Sequence, residues 1–130
     1  MVIPAALRDA MVAHAREGLP NEACGILAGR DGRVERFFPA EPDDPSPYYY
    51  RIEAREQLRI LDKIDDAGLE LVGIYHSHVA SPAYPSRTDV EQAFWPDATY
   101  VIVSLAGGAA DVRGYRIVDG DVQDEPLRFE

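Results

Sequence analysis

A chain of 130 residues with 46% apolar side chains can bury one real core and is too short for a second domain. Its formal charge of −10 excludes a phosphate-backbone partner, which needs clustered Lys and Arg, and points to an acidic, soluble surface whose protein partners are basic where they dock. The single cysteine, Cys24, excludes an internal disulfide and a cysteine-based zinc site; with neither a secretory signal nor a membrane span, residues 1–130 read as one cytoplasmic domain.

In chain order, Pro4 to Glu17 places Leu7, Met11 and Ala15 four apart, between a proline suited to a first helical turn and Gly18 as a stop, which predicts a short amphipathic helix. Cys24 to Ala28 reads as an apolar strand, Arg30-Asp31-Gly32 as a turn and Arg33 to Phe38 as a second strand, together a hairpin. Four prolines in residues 39–47 predict an exposed loop without ladder pairing. Tyr48 to Ile52 then reads as a strand. Glu53 to Ala67 reads as a second helix with Leu58, Leu61 and Ile64 on its apolar face and Gly68 as its stop.

Leu69 to His78 is a nearly unbroken run rich in Leu, Val, Ile and Tyr, as expected of a central strand covered on both faces. Val79 to Pro85 is a loop. Ser86 to Trp95 opens on S-R-T-D, a capping-box-like start, and predicts a third short helix stopped before Pro96. Thr99 to Leu105 is another buried strand, and Asp111 to Val118 with Asp121 to Arg128 forms a hairpin turning at Asp119-Gly120. The sum is an α/β (α+β) layer structure around a mixed sheet, with no internal repeat.

The chemistry lies between His76 and Asp89. Two histidines two positions apart share a face only on an extended strand; on a helix they would diverge by about 200°. His76 and His78 at a strand end, with Asp89 returning from the first turn of the next helix, offer two nitrogens and one carboxylate to a single ion. Such a set suits zinc, which in catalytic sites keeps three protein ligands and one position open to water. Glu22, just before a strand in P-N-E-A-C-G-I-L-A-G, is the candidate general base, and Ser86 can donate its hydroxyl to a developing oxyanion.

Plainer roles compete for several of these side chains. Ser86 stands three residues before Asp89 and also fits a helix cap, so both roles are open. Cys24, among apolar residues on a strand, reads as a small buried hydrophobe and not as a nucleophile. His14 reads as a surface residue on the first helix. The Tyr48 to Tyr50 run and the apolar face of the first helix could serve a core or a homodimer interface, with a docking role for the Pro-rich loop left open.

Glu22, then H-S-H at 76–78, seven residues, Ser86, two residues and Asp89 together resemble the JAMM motif of the MPN+ zinc metallopeptidases. The stretches A-Y-P-S-R-T-D-V at 83–90, P-D-A-T-Y-V-I-V-S at 96–104 and Y-R-I-V-D-G at 115–120 are similar to the small bacterial Mec-type members. The resemblance implies the MPN fold, a mixed and partly barrel-like sheet flanked by helices and related to cytidine deaminases. It assigns zinc to His76, His78 and Asp89, the general base to Glu22 and oxyanion support to Ser86. It further implies hydrolysis of the amide after the C-terminal glycine of a ubiquitin-like sulfur-carrier protein, releasing cysteine. Such a carrier could lay its Gly-Gly tail along a sheet edge beside the metal, in a channel bordered by the Val79 to Pro85 loop. Processing or deconjugation of another carrier is the alternative within the class, and a non-catalytic scaffold is the alternative outside it. Deaminase chemistry needs a C-x-x-C pair, which is absent here.

Overall fold

Both tight hairpins form where the chain offers Asp-Gly. Asp31 and Gly32 have φ of 53° and 74°, Asp119 and Gly120 of 51° and 82°, the paired positive values that a two-residue turn matching strand twist requires. The computed structural model describes residues 1–130. In chain order it contains β1 (Val2–Ile3), α1 (Ala5–Gly18), β2 (Cys24–Arg30), β3 (Arg33–Ala40), α2 (Ala54–Asp66), β4 (Glu70–His78), α3 (Arg87–Glu91), β5 (Thr99–Ser104), β6 (Asp111–Val118), β7 (Asp121–Glu125) and β8 (Arg128–Phe129).

The eight strands form one mixed sheet in the order β7-β6-β5-β4-β2-β3-β1-β8. β4 lies in its middle, antiparallel to β2 and parallel to β5, and the parallel step crosses over through α3. Alternation along β4 sends Tyr75 and Ser77 to one face and Ile74, His76 and His78 to the other. On the first face, Met11 and Ala15 of α1 pack with Leu27, Tyr75, Val101 and Val103. On the second, Ile60 and Ile64 of α2 pack with Ile26, Ile74, Tyr100 and Ile102. Each fully buried Ile or Leu contributes about 1.5–3 kcal/mol, so this double cover is what holds β4 in place. No helix is long and apolar enough to cross a membrane.

Several expectations change. Tyr48 to Ile52 is not a strand: its only pairing is an isolated bridge between Pro42 and Ile52. β2 and β5 flank β4, so the segment does not pair beside the histidines, and its one bridge is to the chain just beyond β3. β3 runs through Pro39 to Ala40, because β1 pairs only as far as Arg33 and proline is tolerated where a strand is an edge. Leu58 is 64% exposed; the buried pair of α2 is Ile60 and Ile64, one helical turn apart. α3 stops at Glu91, and the N–H of Trp95 goes to the Tyr100 hydroxyl instead of a helical carbonyl. The last expected strand breaks at Pro126, after which β8 pairs in parallel with β1, two short strands that carry no readable period.

Candidate metal centre

His76 and His78 close β4, Asp89 is the third residue of α3, and Glu22 sits two residues ahead of β2. The register pairs Cys24 with His76, which carries the segment ending in Glu22 past the histidines. Asp89 arrives by local chemistry. Its N–H donates to Ser86 Oγ at 3.0 Å and its Oδ2 accepts from the Ser86 N–H at 2.9 Å, a reciprocal capping box that builds α3 around the carboxylate. The donor atoms of Glu22, His76, His78 and Asp89 all lie within 4.8 Å of one another, and all four residues are buried.

Three of these atoms form a tight triangle. Asp89 Oδ2 lies 3.0 Å from His76 Nε2 and 2.9 Å from His78 Nε2, and the two nitrogens are 3.2 Å apart. His78 Nδ1 lies 2.7 Å from the Pro82 carbonyl oxygen, which only an N–H can face, so the neutral ring turns the bare lone pair of Nε2 into the triangle. Lone pairs and a carboxylate this close repel unless positive charge sits among them, as shared protons or a metal cation. The donor set is therefore one that could hold a metal ion.

Electrostatics follow from burial and from the triangle. Burial pushes the Asp89 carboxyl upward, but hydrogen bonds from the two histidines and the Ser86 N–H outweigh it and hold the group well below the usual carboxylate range. Burial lowers His76. For His78 the same burial is overcome by Asp89 and the Pro82 carbonyl, and its pKa rises. Glu22 has no such partner: burial lifts its carboxyl to about 8, and its Oε1 is buried with no hydrogen bond. In the metal-free protein this carboxyl therefore keeps its proton at neutral pH.

All five sequence-derived site residues are thus brought together. Ser86 is a cap, as one of its two readings had it, and its hydroxyl oxygen is used as an acceptor, which leaves the O–H proton available for donation. Cys24 is buried, its thiol raised to about 12 by burial. His14 is not a plain surface residue: it is half-buried, with Nδ1 3.3 Å from the Tyr75 hydroxyl. No sheet edge borders the triangle, since β4 is flanked on both sides.

Two contributors escaped sequence reasoning. Ser77, between the histidines, faces the other way and accepts the Ala23 N–H at 2.8 Å, while its own N–H donates to the Ala23 carbonyl. Period 2 implied the opposite face but not a partner 54 residues away. Tyr50 stacks on His76 with ring centroids 4.2 Å apart and an 18° interplanar angle. A tyrosine in an irregular segment carries no sequence signal for such a contact.

Known proteins resemble this chain in sequence and in fold. Residues 4–118 match the family model described as prokaryotic homologs of the JAB domain. The chain is 51% identical to the CysO-cysteine peptidase of Mycobacterium tuberculosis over 130 residues, covering 98% of this chain and 89% of that protein. The solution structure of protein DSY2949 from Desulfitobacterium hafniense superposes with a TM-score of 0.90 at 37% identity, over 99% of this chain and 92% of that one. A JAB1/MPN domain protein from Archaeoglobus fulgidus shares the fold at a TM-score of 0.59 and 16% identity, over 97% and 96% of the two chains. The resemblance carried by the H-S-H, Ser and Asp spacing is borne out, and the chain belongs to the prokaryotic homologs of the JAB domain.

Proposed function

We propose that residues 1–130 are one zinc-dependent peptidase domain that hydrolyses the amide after the C-terminal glycine of a small ubiquitin-like sulfur-carrier protein and releases cysteine. The observation that carries this reading is the triangle of donors. Zinc bonds nitrogen and oxygen at about 2.0–2.2 Å, so two ligands at a tetrahedral angle stand about 3.3 Å apart. The edges at His76, His78 and Asp89 are 2.9, 3.0 and 3.2 Å, so a separation of a few tenths of an ångström would open the triangle into one face of such a tetrahedron. Those three residues would hold the ion. When bound, zinc supplies Lewis acidity that brings the pKa of a water from 15.7 towards about 7.

The chain's own groups do the rest. Glu22 takes the proton from the attacking water as oxygen adds to the glycine carbonyl, and returns it to the departing nitrogen as the C–N bond breaks. Burial favours the protonated form of this carboxyl and a bound cation would favour its carboxylate, opposing pulls that suit a group which must both take up and release the proton. Ser86 donates its hydroxyl to the carbonyl oxygen as negative charge builds there. The Pro82 carbonyl holds the His78 tautomer that presents Nε2.

The 51% identity to a CysO-cysteine peptidase supports the substrate class. For the carrier's tail, the favoured place is the extended Tyr50–Ile52 segment. The Arg51 carbonyl and the Glu53 N–H bond to Asp43 and Glu41 on one side, while the backbone groups of Tyr50 and Ile52 bond to no other backbone. Backbone pairing there would run a Gly-Gly tail towards His76. A cytoplasmic setting belongs to the same reading, in keeping with a reduced Cys24.

Metal content and one substitution test the class. The purified protein should hold about one zinc per chain, and Glu22→Gln should keep it while cutting turnover by about 10² or more. Full activity in Glu22→Gln would sink the peptidase reading. A carrier bearing C-terminal cysteine and one joined to a lysine side chain, weighed by mass spectrometry after incubation, test the substrate. Equal rates on both would remove the preference for cysteine release.

A further inference from the structure

His76 and His78 are held in different ways. His78 has its second ring nitrogen locked on the Pro82 carbonyl, whereas His76 Nδ1 is buried with no hydrogen-bond partner. Metal-binding histidines are ordinarily oriented through that second nitrogen, so something else must set the plane of the His76 ring. Tyr50 is the group in place to do so, lying nearly parallel to it at 4.2 Å.

Tyr50 also lines two cavities that open beside the centre. One, of about 170 Å³, is mainly apolar, formed with Ile52, Ile74, Phe94, Trp95 and Tyr100. The other, of about 290 Å³, is formed with Asp44, Tyr49 and Thr88, the last adjoining Asp89. Arg51 and Gln92 are common to both, so the two cavities adjoin and Tyr50 stands in the wall between them and His76. The residues around Tyr50 are anchored: Tyr49 donates to Asp44, Arg51 pairs with Asp43 at 3.0 Å, and Ile52 bridges to Pro42.

We propose that Tyr50 is a positioning residue that couples the substrate groove to the metal centre: its ring orients His76 in place of the missing hydrogen bond and senses what occupies the adjoining cavities. The proposal rests on the peptidase reading for the identity of the occupant, a tail ending in Gly-Gly. It goes beyond that reading in stating that groove occupancy and metal retention are linked, each strengthening the other by the same factor.

Two measurements test it. The first follows transfer of zinc from loaded protein to a chromogenic chelator. Tyr50→Phe should release metal within about 2-fold of the parent, Tyr50→Leu about 10-fold faster, the lower end of what loss of an orienting partner costs. Trp95→Leu, which alters the apolar cavity without touching the Tyr50–His76 stack, should raise KM at unchanged metal release. The second follows the His76 ring signals by NMR in metal-free protein while a peptide ending in Gly-Gly is added. They should shift in the parent and in Tyr50→Phe, and stay fixed in Tyr50→Leu or, should that variant not fold, in Tyr50→Met. Parent-like metal release in Tyr50→Leu, or His76 signals that stay still while those of Tyr50 move, overturns the coupling. A parent that binds no zinc counts against the peptidase reading instead, and the metal-free NMR experiment still decides the coupling.

Discussion

Ser77 Oγ accepts the backbone N–H of Ala23 at 2.8 Å, so the residue between the two histidines is tied to the residue next to Glu22. With the Ser77 N–H donating to the Ala23 carbonyl at 3.0 Å, this pair of bonds sets the distance between the proposed base and the proposed ligands. Ser77→Ala should leave a buried N–H unpaired, costing about 1–3 kcal/mol of stability. It should also lower turnover with metal content unchanged, because Glu22 is displaced and the triangle is not. Urea denaturation and metal analysis on the same sample check both parts.

Asp89 and Ser86 separate ligation from capping. Asp89→Asn keeps an oxygen for the Ser86 N–H but removes the charge that faces both histidines, so metal affinity should fall by about 100-fold or more while α3 persists. Ser86→Ala should cost about 0.5–2 kcal/mol through the lost cap. It should also reduce turnover by about 10² to 10³ through the lost hydroxyl donor, and Ser86→Thr should recover much of each. Competition with a chelator and steady-state rates tell the two residues apart.

The metal-free protein should lose stability as pH rises from about 4.5 to 8. Glu22 has its folded-state pKa raised by burial from 4.5 to about 8, so in this interval the folded chain keeps a proton that the unfolded chain has released. The contribution is complete below the unfolded pKa and gone above the folded one. Asp89 acts with the opposite sign, its stabilisation disappearing as pH falls below the ordinary carboxylate range. Urea midpoints of chelator-treated protein across pH 5–8.5 should decline, and Glu22→Gln should flatten that decline.

Cys24 should be inert in the native state. A buried thiol lifted to about 12 offers almost no thiolate at pH 8, so iodoacetamide should label the protein only after denaturation. Native labelling at the rate of a free thiol would contradict the packing of β2 against β4.

Leu58 and Ile64 should behave unlike each other although both are aliphatic residues on α2. Ile64→Ala empties a site in the core between α2 and the sheet and should cost about 2–5 kcal/mol. Leu58→Ala removes an exposed side chain and should fall within about 0.5 kcal/mol of the parent in urea denaturation.

The amino-acid sequence by itself determined the features whose physics is local. Strand alternation put His76 and His78 on one face, the S-x-x-D spacing built its own capped turn around Asp89, and Asp-Gly set the two hairpins. Tertiary structure decided what depends on partners far along the chain. It chose which face of α2 is buried, left Tyr48 to Ile52 with a single bridge to Pro42 in place of a strand, and paired β8 with β1 across the ends of the chain. It also placed Ser77 on Ala23 and Tyr50 on His76, contacts between groups more than 25 residues apart whose geometry exists only once the layers have packed.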